Sequence, residues 1–208
     1  MTGVHDLPLF IVAGLLLNLT PGVDMALVAS RSAALGFRAG AAAALGVAAG
    51  CLLHTLAAAL GVSALVAQSA AAFTLLRWLG AAYLVWLGVA MLCARLVAVP
   101  KGAAPPASSL GRLFAQGFLT NALNPKVALF FLAFLPQFIA ADAPDKGLAF
   151  VLLGLLFNLN GTLVNIALAA IVAMLRERVV APARWRLWFT RGVGVLFVAL
   201  GLRLAIKG

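Results

Sequence analysis

Charge is scarce in this chain. Of 208 residues, five are acidic and fifteen are lysine or arginine, so charged residues make up 10% of the sequence. A soluble domain carries about 25% charged and about 45–50% apolar residues. Here hydrophobic residues reach 65% and mean hydropathy is +1.14. Those values exclude an ordinary soluble domain, and the long apolar runs must be membrane spans. Cysteine is nearly missing. Cys51 and Cys93 lie in separate apolar segments with no C-x-x-C spacing, which argues against thiol-redox or zinc chemistry and leaves them as small packing residues. There is no H-e-x-x-H pattern and no nucleophile–base pairing, so an enzyme is not expected. The N-terminus lacks a basic n-region, and no cleaved leader is expected.

The charge that is present is mostly positive, a net +10. On one face of a soluble fold this would indicate nucleic acid. In this chain the basic residues fall between apolar segments, where they set membrane topology, and a nucleic-acid partner is not expected. Six segments are long enough to span: 7–30, 39–67, 73–94, 113–140, 147–175 and 188–206. The loops after the first, third and fifth hold ten lysines and arginines, against four on the other side. This places the basic loops in the cytoplasm and both termini outside. Asn18-Leu19-Thr20 and Asn160-Gly161-Thr162 match the glycosylation pattern but lie within spans.

Two segments are interrupted in the same way. Asn18-Leu19-Thr20-Pro21-Gly22-Val23-Asp24 breaks the first, and Asn121-Ala122-Leu123-Asn124-Pro125-Lys126 breaks the fourth, with the prolines 104 residues apart. Gly50 and Gly154, and His54 and Asn158, keep the same offset. Three spans per half is an odd number, so a repeated half must lie inverted in the membrane. The expected fold is an all-α membrane protein of six transmembrane helices in two inverted three-helix repeats, with spans one and four broken in mid-membrane. Residues 1–98 form the first repeat, 99–112 a cytoplasmic linker and 113–208 the second. The second span is rich in alanine and glycine, which predicts close helix packing. Such small-residue faces allow a homodimer without requiring one.

In each break a good N-cap, Thr20 or Asn124, precedes a proline, which is favoured at the first helical position. A half-helix is therefore predicted to start at Pro21 and another at Pro125. A helix start exposes unpaired N–H groups and about half a positive charge, and so attracts anions. Asp24 suits such a position, whereas Lys126 needs an anion nearby. Two readings follow. Asp24 and Lys126 form a structural ion pair that locks the halves, or they mark the substrate and proton path, as ionisable residues at membrane depth commonly do. On the second reading the constellation suits a zwitterion: Lys126 and the half-helix N–H groups bind a carboxylate, and Asp24 takes an ammonium or a proton. Paired interruptions of this kind are a strong sequence pointer to a transporter's binding site.

Weaker signals accompany the breaks. His54 is either a packed, hydrogen-bonded histidine or a proton relay. Asn158 and Asn165, seven apart on one helix face, either bond between helices or line a polar cavity with Asn121. Tyr83 and Trp86 read as packing or interface residues.

The two breaks, with Gly36-Phe37-Arg38-Ala39-Gly40, Arg77-Trp78-Leu79-Gly80-Ala81-Ala82-Tyr83-Leu84 and Asn124-Pro125-Lys126-Val127-Ala128-Leu129-Phe130-Phe131, resemble the LysE/RhtB family of amino-acid exporters. So does Phe134-Leu135-Pro136-Gln137-Phe138, and the likeness runs nearly end to end. The resemblance implies a bacterial inner-membrane exporter of amino acids driven by proton antiport, with no cofactor. Its expected substrate site is Asn18, Thr20, Pro21, Gly22, Asp24, Asn121, Asn124, Pro125, Lys126, Asn158 and Asn165, with Asp24 and His54 coupling the proton. Val23 stands where many members have a second proline, and Asn165 where a tyrosine or an acid is frequent. With one intramembrane acid, a neutral substrate fits better than a dibasic one; threonine, homoserine, leucine and homoserine lactone are the candidates such relatives suggest. The alternative is a metal-ion exporter of related architecture, which would need several carboxylates, histidines or thiolates to converge.

Overall fold

Proline and glycine decide where these helices stop. A computed structural model describes residues 3–62, 70–93, 109–140, 142–175 and 183–206. Most of the expected linker, 99–108, lies outside the described residues. The helices are α1 (Leu7–Leu19), α2 (Val23–Leu35), α3 (Phe37–Ala57), α4 (Ala70–Leu92), α5 (Leu110–Ala122), α6 (Pro125–Ala133), α7 (Lys146–Met174) and α8 (Ala183–Ile206). A π turn, Ala58–Val62, extends α3, and a 3-10 turn, Leu135–Phe138, follows α6. Among the described residues there is no strand, only an isolated bridge between Val4 and Ile139. Gly36 joins α2 to α3 at φ 86°, a backbone conformation that favours glycine.

Two stretches, Phe37–Gly61 and Lys146–Met174, are long and apolar enough to cross a membrane, each with mean hydropathy 1.9. Two bent pairs pass the same test when each is taken as one span: α1 with α2, bent by 54°, and α5 with Pro125–Phe138, bent by 48°. The described residues are therefore all-helical, with two to four membrane spans among them by length and composition. Both interruptions fall where Pro21 and Pro125 predict them.

The alanine- and glycine-rich α3 packs tightly, as its composition predicts. A Cβ at Gly46 would collide with the Phe114 carbonyl of α5, and one at Gly117 with the Ala43 carbonyl of α3. The α4–α8 seam is built the same way: a Cβ at Gly88 would lie 2.6 Å from the Gly194 carbonyl, and one at Gly194 2.7 Å from the Gly88 carbonyl. Where lipid removes the hydrophobic drive, such close backbone approach supplies the van der Waals contact that holds helices together. Helices α3 and α7 run antiparallel, since the Gly40 position meets Ala169 and the Gly154 position meets Thr55.

The core beside the breaks is aromatic. Phe10, Phe130, Phe131, Phe134 and Phe150 are fully buried. Phe130 stacks on Phe134 at 4.7 Å and packs on Phe157 at 4.8 Å. Such pairs contribute about 0.5–1.5 kcal/mol each beyond their buried area. They give the short α6 a rigid seat against α1 and α7.

Candidate functional site

The two breaks differ in how they start their second half-helix. In the later one, Asn124 caps α6, its Oδ1 accepting the Lys126 backbone N–H at 3.0 Å, with Pro125 in the first turn as predicted. In the earlier one, Thr20 closes α1 instead, its hydroxyl donating to the Leu16 carbonyl at 2.8 Å. Gly22, extended at φ −153° and ψ −174°, is the N-cap of α2 and supplies no side chain. The expectation that Thr20 caps a helix opened by Pro21 is thus corrected. The chain stays extended through Gly22, so α2 begins at Val23.

Each proline also frees a carbonyl four residues earlier, because it has no N–H to donate. For Pro21 that carbonyl belongs to Leu17, and for Pro125 to Asn121. Each carbonyl keeps one local donor, the Thr20 N–H on Leu17 O at 3.1 Å and the Asn124 N–H on Asn121 O at 2.9 Å, and the opposite half supplies a second. Lys126 Nζ donates to Leu17 O at 3.3 Å and to Thr20 O at 3.4 Å. His54 Nε2 lies 2.9 Å from Asn121 O, which needs a proton on that nitrogen, and the ring rests on Phe131. Lys126 thereby reaches the carbonyl end of α1, where the helix dipole favours a cation. Tyr83 of α4 donates its hydroxyl to the Lys126 carbonyl at 3.2 Å and braces that residue from the far side.

Asp24 sits in the first turn of α2 and reaches the other break. Its Oδ2 accepts from Asn121 Nδ2 at 2.9 Å and from Asn124 Nδ2 at 3.0 Å. Its Oδ1 is buried without a partner, as is Asn121 Oδ1. Asp24 and Lys126 do not pair directly. Among the described residues the ion pair within 4.0 Å is His5–Asp6, at 3.7 Å. The locking reading therefore fails in its simple form, since each charge is held by the neutral groups of the opposite break.

Both residues face one cavity of about 40 Å³, room for about three waters. Of the predicted site residues, Asn18, Thr20, Gly22, Asp24, Asn121, Asn124, Lys126, Asn158 and Asn165 line it. Pro21 and Pro125 shape the breaks without lining the cavity, and His54 stands behind Asn121 rather than on its wall. Asn18 bonds between helices, donating to the Phe157 carbonyl at 3.3 Å. Cys51, expected only to pack, is buried and also lines the cavity, as do Met25, Phe157 and Thr162. Thr162 had a signal, lying four residues from Asn158 and three from Asn165 on one helix face. Cys51 and Met25 had none. No group of three or more histidine, cysteine, aspartate or glutamate side chains gathers among the described residues.

Comparison with known proteins gives a consistent picture. The model of the LysE type translocator family matches residues 15–208. An uncharacterized membrane protein of Pseudomonas aeruginosa is 34% identical over 98% of this chain and 96% of its own. A homoserine/homoserine lactone efflux protein of Salmonella typhi is 29% identical over 94% of each chain. A leucine efflux protein of Salmonella choleraesuis is 32% identical over 73% of this chain and 71% of its own. No solved structure gives a significant match.

Proposed function

This chain belongs to the LysE type translocator family, and from that premise we propose that it exports neutral amino acids from the cytoplasm by proton antiport. The observation that carries the proposal is the pair Asp24 and Lys126, one charge of each sign facing a single cavity without neutralising each other. An amino-acid zwitterion has the complementary charges. Its carboxylate binds Lys126 and the first-turn N–H groups of α2, which no side chain caps. Its ammonium binds Asp24, whose Oδ1 has no partner, together with Asn121 Oδ1. The relatives named for homoserine and leucine efflux support a neutral substrate.

Coupling follows from competition at one carboxylate. Asp24 holds either a proton or the substrate's ammonium. Facing the cytoplasm, the ammonium displaces the proton inward; facing outward, a proton displaces the ammonium and the substrate leaves. One proton enters for each amino acid exported. His54 serves this step through Asn121, whose side chain holds Asp24. The chain does this as six spans in two inverted halves of a bacterial inner membrane, with the basic loops in the cytoplasm. The halves rock about the breaks.

Counterflow in proteoliposomes tests the proposal. Vesicles loaded with unlabelled homoserine or leucine are expected to accumulate the labelled amino acid, and an imposed pH gradient is expected to drive net transport. If no amino acid moves, the reading fails and metal-ion efflux becomes the one to test.

A further inference from the structure

A continuous column of rings joins the cavity to one end of the molecule. Phe157, on the cavity wall, packs on Phe130 at 4.8 Å, and Phe130 stacks on Phe134 at 4.7 Å. Phe134 meets Phe138 at 4.7 Å, and Phe138 meets the His5 ring at 6.4 Å. Phe10 of α1 closes the flank, 6.1 Å from Phe134 and 5.2 Å from Phe138. Phe10, Phe130 and Phe134 are fully buried, so the column is dry. Residues 3–6 lie over its far end. The His5 N–H donates to the Phe138 carbonyl at 3.0 Å and the Ala140 N–H to the Gly3 carbonyl at 2.8 Å, with Val4 bridged to Ile139 between them. This segment enters α1 through Asp6 at φ 50°, a left-handed conformation that is costly for a residue with a side chain. Toward the opposite end, the buried cluster is Val28, Ala43, Ala44 and Ala169, smaller side chains without a ring.

The contacts at this end cross between the halves. Residues 3–6 and Phe10 belong to the first half, and Phe134, Phe138 and Ala140 to the second. Two backbone hydrogen bonds and ring contacts can be undone without unfolding a helix, as the fastening of a moving closure must be. We propose that residues 3–6 are a strap that latches an aromatic outer gate. Substrate leaves when the strap lifts from 138–140 and Phe10 parts from Phe134 and Phe138. The proposal rests on the proposed function, because export with both termini outside makes this end the exit. The strain at Asp6 favours release while the hydrogen bonds and rings favour closure, so neither state is locked.

A disulfide tests the strap. Val4 and Ile139 lie between the two hydrogen bonds and so form a non-hydrogen-bonded pair. The Cα atoms of such a pair are about 4.5 Å apart, within the roughly 4.4–6.8 Å that a disulfide spans. Val4→Cys with Ile139→Cys is oxidised in detergent, the bond is confirmed by mass, and homoserine binding and proteoliposome counterflow are measured. The reduced pair is expected to transport near the wild-type rate, which shows that it is folded. The oxidised pair is expected to lose about tenfold or more of its transport and still bind homoserine, because the lock lies a column's length from the cavity. Reducing agent restores transport. Ala140→Pro works in the opposite sense. It deletes the N–H that Gly3 O accepts, and Ile139, at φ −116° and ψ 122°, already has the backbone that precedes a proline. Labelling of native Cys51 on the cavity wall by a membrane-impermeant thiosulfonate added outside is expected to quicken about fivefold, as the loss of one hydrogen bond implies. Undiminished transport by the oxidised pair overturns the inference and leaves the proposed function standing. So does a bond that does not form, or unchanged Cys51 labelling in Ala140→Pro. An oxidised pair that no longer binds homoserine also overturns it, since the lock would have distorted the site. If wild type moves no amino acid, the proposed function fails and the strap's role in export fails with it.

Discussion

The two breaks use proline alike and cap their helices differently. Break two closes its own helix start, with Asn124 bonded to the Lys126 backbone. Break one leaves its helix start bare, because Gly22 has no side chain. The self-capped break carries the cation and lends its asparagines to Asp24. The bare break carries the anion and lends its carbonyls to Lys126. In the proposed function the uncapped start of α2, with Lys126 beside it, is the end of the site that takes the substrate carboxylate.

Several substitutions sharpen or break this asymmetry. The largest effect is expected from Lys126→Met, which removes the cation from the bare break and strips its donor from Leu17 O and Thr20 O. Losing one partner of a buried charged contact costs about 2–5 kcal/mol, so transport is expected to fall on the order of a hundredfold in counterflow. Near wild-type rates in this variant would remove Lys126 from the substrate path. Next comes Gly22→Asn, which makes break one resemble break two. An asparagine cap exceeds a glycine one by only a few tenths of a kcal/mol, so melting is expected to be almost unchanged while transport falls about tenfold because the asparagine side chain occupies the first-turn N–H groups. Gly22→Ala is the control, since its Cβ would meet Lys126 Nζ at an ordinary 3.6 Å; transport within about twofold of wild type is expected, as alanine cannot cap. Equal losses in both variants would point to crowding rather than capping. The smallest effect is expected at His54. His54→Leu removes one of the two donors on the Asn121 carbonyl, the Asn124 N–H remaining at 2.9 Å, which costs at most about 1 kcal/mol or a roughly fivefold loss of transport. His54→Gln supplies an N–H in its place and is expected to recover most of it with an unaltered pH profile. A flattened profile in His54→Gln would make the histidine a coupling group instead.

Much of this was legible in the sequence because proline acts locally. A missing N–H and a fixed φ mark a break wherever proline falls in an apolar run, and both bends are where Pro21 and Pro125 sit. Asp24 and Lys126 were legible because a charge in such a run needs a reason. Asn158 and Asn165 showed as a pair because helical spacing puts them on one face. Thr20 misled because Thr-Pro also begins helices, and only the backbone angles of Gly22 show that α2 starts later. The crossed contacts were hidden for a different reason. That His54 meets the Asn121 carbonyl depends on how α3 seats against α5, and that Asp24 reaches Asn121 and Asn124 rather than Lys126 depends on where α2 lies beside that pair. That seating is set by backbone approach at Gly46 and Gly117, which no local pattern encodes. Tyr83 likewise read as packing, since its bond to the Lys126 carbonyl joins α4 to α6 across 43 residues.

The central claim is that Asp24 holds a proton or a substrate ammonium in turn. The direct measurement is proton release from purified protein in weakly buffered detergent solution on adding saturating homoserine, at a pH where the site starts protonated. Wild type is expected to release about one proton per chain and Asp24→Asn none, as linkage requires when two ligands compete for one carboxylate. Release that is undiminished in Asp24→Asn, or absent from wild type that binds homoserine, would contradict it.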